Sequence, residues 1–271
     1  MTEARAPVAW SWGAASAYVA VHVGCLGVLV TGFNARNLLI LLGFFTVRMW
    51  ALTVGYHRYF AHRSYAMERV PQALLALLGS TCLQGGVLWW AETHRRHHRG
   101  ADTPEDLHSP HFQGWFYSHF GWFLDQQHRE TRLDAVRDLS RFPELVWLDR
   151  WHIVPFLAAT LLTGWTLGWA GVVWGMLIPT VMMWEITHWV QSFSHCFAGY
   201  RRFETRDQSR NHWLLGVIAL GEYHNNHHRF PGSARQGSAW WELDLGYGSL
   251  RVLHRLGIVT RLNVPKELTP P

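Results

Sequence analysis

Apolar and polar positions alternate along this chain in long blocks rather than in short amphipathic periods. Ala14 to Phe33 contains no Asp, Glu, Lys or Arg, and Ile153 to Trp184 is an uncharged run of 32 residues. A helix that crosses a bilayer needs about 20 apolar residues. The second run is too long for one crossing and reads as a hairpin of two, turning near Leu167-Gly168-Trp169-Ala170-Gly171. Leu38 to Tyr56 supplies another crossing, interrupted by the single charge of Arg48. The pattern therefore predicts an all-α integral membrane protein of one domain, residues 1–271, with four transmembrane helices at about 12–33, 38–56, 153–168 and 171–190. The polar segments 57–152 and 191–271 would form a helical cap. Pro71 to Trp90 is also apolar for roughly one span's length, but a full crossing there would separate the histidines before it from those after it. An interfacial or re-entrant helix keeps them on one side.

Charge fixes the expected orientation. The net charge is +5, and among 24 basic residues only Lys266 is lysine. The basic residues concentrate in 57–150 and after His195, whereas the connections Asn34-Ala35-Arg36-Asn37 and Gly168 are short. By the positive-inside rule the cap and both termini are cytoplasmic, making this a multi-pass protein with its polar chemistry on the cytoplasmic face. The first residues, M-T-E-A-R-A-P, carry no signal-peptide cleavage pattern, so the first span is expected to remain as a helix. The 17 tryptophans fit an interfacial belt, with Trp89, Trp90, Trp115, Trp122, Trp240 and Trp241 placed where it would run. Cys25, Cys82 and Cys196 lie too far apart for a disulfide framework or a cysteine metal site. No nucleic-acid-binding motif is present, and the basic charge does not require one.

The candidate chemistry lies in three histidine clusters: H-R-Y-F-A-H (His57, His62), H-R-R-H-H (His94, His97, His98) and H-N-N-H-H (His224, His227, His228), with His195 nearby. Imidazole is the commonest side-chain metal ligand near neutral pH. Residues at i, i+3 and i+4 share a helix face, so each H-x-x-H-H triplet points three ring nitrogens one way. The i, i+5 pair lies off a single α-helical face and is expected where a helix ends. Nine neutral nitrogen donors are too many for one ion and suit two.

In these boxes the chain resembles the membrane fatty-acyl desaturases, specifically the stearoyl-CoA desaturase and bacterial Δ9-type branch. The resemblance extends to R-S-Y after the first box, G-W-F-Y-S-H-F-G-W at 114–122, Q-S-F-S-H at 191–195 and the run from Gly221 to Gly237. It implies a cytoplasmic cap holding two irons above the four membrane helices, with an acyl tunnel passing the metals. Position by position, it implies His57, His62, His94, His97, His98, His195, His224, His227 and His228 as ligands. Gln191 stands where the family has an Asn acting through water, and Gln84, Trp90 and Thr187 match positions that shape a kinked acyl channel. Zinc is expected as a substitute in overexpressed protein, since both metals accept imidazole. Where acyl-CoA members carry a basic pair that grips the CoA phosphates, this chain has Asp125-Gln126-Gln127; Glu92-Thr93 replaces an Arg-Asp, and Gly85 an Asn. A phosphate cradle needs cations, so an acyl-lipid, acyl-carrier-protein or free-acid substrate fits at least as well as acyl-CoA.

The expected reaction is the oxygen-dependent introduction of a double bond into a saturated acyl chain. Glu92, Asp102, Asp106, Asp207 and Glu222 are candidates for orienting the imidazoles. The chain has no haem motif, Gly-rich nucleotide fingerprint or cysteine cluster, so electrons are expected from a separate ferredoxin, flavoprotein or b-type cytochrome. Hydroxylation, acetylene formation or decarboxylation at the same centre are the nearest alternatives. A haem-binding electron carrier or metal transporter is a remote one, because it would place single histidines inside facing spans and only His22 and His188 lie within spans. Arg48 and Glu185 are charges at similar depth in two spans running the same way, and are expected to pair across the bundle near the closed end of the tunnel.

Overall fold

The computed structural model describes residues 8–268; the sequence M-T-E-A-R-A-P lies outside them. Among the described residues, three helices are long and apolar enough to cross a membrane: Trp12–Thr31, Ala35–Ala61 and Ile153–Ser192. The first is almost all surface, with Leu29 and Val30 more than four-fifths exposed, as a lipid-facing helix should be. The second is half buried and forms the centre of the bundle. Asn34 caps its start, the side chain accepting from Asn37 N.

The third helical stretch runs for 40 residues but breaks at Gly168, whose φ of 70° and ψ of −166° lie outside any helix. Such a backbone favours glycine. The expected turn is therefore present. That the chain reverses there is shown by Arg48, whose guanidinium lies 5.9 Å from the Phe156 ring before the break and 2.5 Å from Thr180 Oγ1 after it.

Pro71 to Trp90 does not form the single helix expected. Arg69–Ser80 is one helix and Val87–Gly100 another, separated by a turn with Leu83 and Gly85 at positive φ. The turn lets the second helix start afresh, with Asp149 accepting from both Leu88 N and Trp89 N at 2.8 Å. The side chain thus satisfies two of the amides a helix start leaves open. The turn also brings the second histidine box back against the first, so the clusters stay together by a different route.

The segments that carry the histidine boxes are tied together by buried polar residues. Arg58, fully buried in the first box, donates to Gly221 O, Ala234 O, Gln236 Oε1 and Asp244 Oδ1 and so locks that box to the third. A short antiparallel ribbon pairs Tyr65–Met67 with Val259–Leu262 and returns the C-terminal segment to the same place.

Arg48 and Glu185 do not pair. Arg48 is buried and donates to Thr81 O, Gly175 O, Met176 O and Thr180 Oγ1. Glu185 faces Tyr18 and His119 instead. Five residues of helix separate it from Thr180, a rotation of about 140° at about 3.6 residues per turn, so equal depth did not mean a common face.

Candidate metal centre

The last eleven residues of the second long helix, Ala51–Ala61, are π-helical. The His62 N–H donates to His57 O at 3.2 Å, an i→i+5 bond. In this winding the i, i+5 histidines become neighbours, with ring centres 5.0 Å apart. They do sit at a helix end, as expected, but they share a side because the local winding is not 3.6.

The nine histidines form two groups whose donor atoms lie within 4.8 Å of one another: His57, His62, His94, His98 and His227, and His97, His195, His224 and His228. Each triplet is divided between them. The box on Val87–Gly100 gives His94 and His98 to the first group and His97 to the second. The box on His224–Arg229 gives His227 to the first group, and His224 and His228 to the second. The shared face of each triplet thus lies over both groups.

Carboxylates fix the rings. His57 Nδ1 meets Glu222 at 2.9 Å, His97 Nδ1 meets Asp106 at 3.0 Å, His195 Nδ1 meets Asp102 at 2.8 Å and His228 Nδ1 meets Asp207 at 2.9 Å. Four of the five acids expected in this role hold it. Glu92 instead pairs with Arg132. Gln236 adds a contact of 3.1 Å to His227 Nδ1 that sequence reasoning missed, although it lies within the Gly221 to Gly237 run. Asn225 and Asn226, between the third-box histidines, brace that helix through Phe203 O, Gln236 O and Glu242.

Burial pushes His62, His94, His98, His227 and His228 well below the ordinary histidine range, and His224 to about 4. These rings are neutral and their lone pairs available. His97 is the exception: burial pulls it down, but the Asp106 carboxylate outweighs that and raises it. Burial alone would raise Asp102, yet its hydrogen bond with His195 takes it down to about 2. Asp106, Asp207 and Glu222 likewise overcome burial through their histidine partners and stay ionised well below the usual carboxylate range.

The donor set fits metal ions. With Nδ1 protons committed to carboxylates, Nε2 of His57, His195 and His228 is the nitrogen left for a metal, and that of His97 becomes so once a metal displaces its second proton. His98 Nε2 faces His94 Nε2 at 3.1 Å and His227 Nε2 at 2.8 Å, while His195 and His224 approach at 2.8 Å. His62 Nε2 and His228 Nε2 are buried with no hydrogen-bond partner among the described residues. Such convergence of bare nitrogens is unfavourable without a cation.

Beside the histidines lies a cavity of about 450 Å³, lined mainly by apolar side chains and reaching His94. Gln84, Trp90, Thr187 and Gln191 all contribute to its walls. Gln84 donates to Thr187 Oγ1 at 2.9 Å, and Trp90 stacks on His94 with ring centres 4.8 Å apart. Trp90, Thr187 and Gln191 also line a second cavity of about 60 Å³ that touches His57, His97 and His224. Gln191 Oε1 accepts from Trp122 Nε1 at 3.2 Å.

A family model described as "Fatty acid desaturase" matches residues 34–252. The chain is 34% identical over 254 residues to an sn-1 stearoyl-lipid 9-desaturase of Anabaena variabilis, covering 91% of this chain and 92% of that one. It is 35% identical over 251 residues to Delta-9 acyl-lipid desaturase 1 of Arabidopsis thaliana, covering 91% and 81%. It is also 33% identical over 255 residues to an acyl-CoA 5-desaturase of Anemone leveillei, covering 92% and 78%.

Proposed function

Because the chain belongs to the fatty acid desaturase family, and so is an oxidoreductase that desaturates fatty acyl chains, we propose that its two histidine groups hold two irons and that its acyl substrate is carried by a lipid. The observation that carries the metal assignment is the convergence of nine imidazoles in two groups against one largely apolar cavity. Two irons bound there would supply a dioxygen-dependent oxidation strong enough to take two hydrogens from unactivated methylenes. The protein's own part is positional. Asp102, Asp106, Asp207 and Glu222 orient the imidazoles. The Gln84–Thr187 hydrogen bond and the Trp90 indole shape the channel beside His94, and its apolar walls keep water from the reacting carbons. Gln191, whose side-chain oxygen accepts from Trp122 and which lines both cavities, would act on the metals through a water.

The lipid assignment rests on Asp125. It is buried, accepts from Tyr117 Oη at 2.9 Å and Gln127 Nε2 at 2.7 Å, and puts a carboxylate where a phosphate cradle would need cations. The break at Gly168 supports reading the 40-residue stretch as two crossings and the bundle as four, in one domain. The positive-inside pattern supports a cytoplasmic centre and termini. Two electrons per turnover come from an external ferredoxin, flavoprotein or b-type cytochrome. The test supplies purified enzyme, dioxygen and a donor system with one acyl chain as phospholipid, carrier-protein thioester, free acid or CoA thioester, and follows the loss of two hydrogens by mass spectrometry. The lipid should be converted fastest. Faster conversion of any other form overturns the lipid assignment, and full activity of His97→Ala or His227→Ala overturns the ligand assignment.

A further inference from the structure

A second polar cluster lies outside the two histidine groups, in the wall between the first and third long helices. His119, Glu185 and His188 bring one ligand atom each to within 4.8 Å of one another. Glu185 and His188 share a face of the Ile178–Ser192 helix at i, i+3, and His119 arrives from the separate helical turn Tyr117–Gly121. The proposed function uses none of the three.

The hydrogen bonds decide which atoms bear lone pairs. Ser192 Oγ donates its only proton to His188 O at 2.8 Å. It can therefore only accept from His119 Nδ1, also at 2.8 Å, which places the His119 proton on Nδ1 and leaves Nε2 bare. In the neutral ring that nitrogen faces Glu185 Oε2 at 3.6 Å, lone pair to lone pair. Tyr18 donates to the other carboxylate oxygen, Oε1, at 3.1 Å and fixes its orientation. His188 is buried, and its Nδ1 has no hydrogen-bond partner among the described residues. Two nitrogens and a carboxylate oxygen thus converge with nothing between them to share. A separation of 3.6 Å is too long for a good hydrogen bond. It is close to the roughly 3.4 Å between two donors of one tetrahedral zinc, given bond lengths of about 2.0–2.2 Å.

We infer that His119, Glu185 and His188 form a third metal site, separate from the two histidine groups, that takes a divalent cation of the zinc class. Two imidazoles and one carboxylate are a common zinc donor set. The rings are held for it: Trp115 stacks on His119 with centres 4.7 Å apart, and Phe123 stacks on His188 at 4.8 Å. The ion neutralises the Glu185 carboxylate in an otherwise apolar helix. It also ties the third long helix to the Tyr117–Gly121 turn and, through Tyr18, to the first helix. Tyr18 and His188 line the acyl cavity, so the site fixes the shape of that wall.

The experiment counts metal per folded chain by mass spectrometry after equilibrating the full-length protein in zinc-buffered detergent. Wild type should hold one equivalent more than Glu185→Gln and His188→Gln, with helix content unchanged by circular dichroism. A His97→Ala, His227→Ala double variant should lose metal from the other two groups yet keep the equivalent that depends on Glu185, so failure of the two-iron reading is seen separately. Wild type holding only two equivalents, both lost in the His97→Ala, His227→Ala variant, overturns the inference whether or not the Glu185 and His188 variants fold, and leaves the cluster as an imidazolium–carboxylate pair. Equal metal content in wild type and both variants overturns it as well.

Discussion

Asp102→Asn isolates the charge of one orienting carboxylate. Asp102 Oδ2 accepts from His195 Nδ1 at 2.8 Å and from Gln208 N at 2.7 Å, and Oδ1 accepts from Ser109 Oγ at 3.1 Å. An asparagine with its oxygen in the Oδ2 position keeps the first two bonds, and its NH2 can donate to Ser109 Oγ. The backbone at Asp102 has φ 57°, a left-handed conformation that Asn tolerates better than most residues. Geometry should therefore survive while the negative charge behind His195 disappears. Loss of such a partner typically costs 10- to 100-fold in metal affinity, or about 1.4–2.7 kcal/mol. The loss should fall on the four-histidine group of His97, His195, His224 and His228, leaving the five-histidine group nearly unchanged. A chelator titration with metal counted at each step should show one equivalent released at 10- to 100-fold lower chelator than in wild type. Identical release curves, or equal weakening of both groups, would refute the reasoning. Asp102→Ala is the contrast: it adds left-handed strain and should also lower the unfolding temperature.

Two further substitutions test the packing around the centre. Arg48→Met strips Thr81 O and buried Thr180 Oγ1 of their guanidinium donor; at roughly 1–3 kcal/mol for each of the two stripped acceptors, detergent-phase unfolding should show a loss of about 2–6 kcal/mol. Combining it with Glu185→Gln should be additive within about 0.5 kcal/mol, because the two side chains share no partner; a coupling above 1 kcal/mol would restore a pair between them. Trp90→Ala removes the indole that lines both cavities and stacks on His94. The acyl chain should then register at more than one carbon, and product analysis should show a mixture of double-bond positions at reduced rate. A single unchanged position would show that Trp90 does not set the register.

The nine histidines that meet in two groups are legible in the sequence because they depend on residue type and short spacing, which chain geometry translates directly. The orienting acids are partly legible for the same reason: Asp102 and Asp106 follow the second box closely, and Glu222 precedes the third. Glu92 misleads because it sits two residues before His94, yet its helix turns it toward Arg132. The division of each triplet between two groups is not legible. Spacing gives the face of one helix, but only the packing of Val87–Gly100 against His224–Arg229 decides what that face meets. His119, Glu185 and His188 escape attention because their cluster joins segments 66 residues apart between His119 and Glu185, with no local pattern.

Two π-helical segments change what their helices present to neighbours. Periodicity arguments assume about 3.6 residues per turn, and in these segments that fails. In Ala51–Ala61 the wider winding brings His57 and His62 onto one side of the helix end. In Val172–Leu177 it presents Gly175 O and Met176 O to Arg48. Thr180 Oγ1 donates to Met176 O as well, so the same carbonyl gathers two side-chain donors. Arg48 therefore needs no carboxylate: backbone oxygens and one hydroxyl meet its buried charge. That frees Glu185 to face the opposite wall, where its neighbours are Tyr18 and His119 rather than a cation from the protein. The arginine is satisfied by backbone at the π-helical segment, and the carboxylate, turned about 140° from Thr180 on the α-helix that follows, is left among imidazoles. The second is the one that carries chemistry.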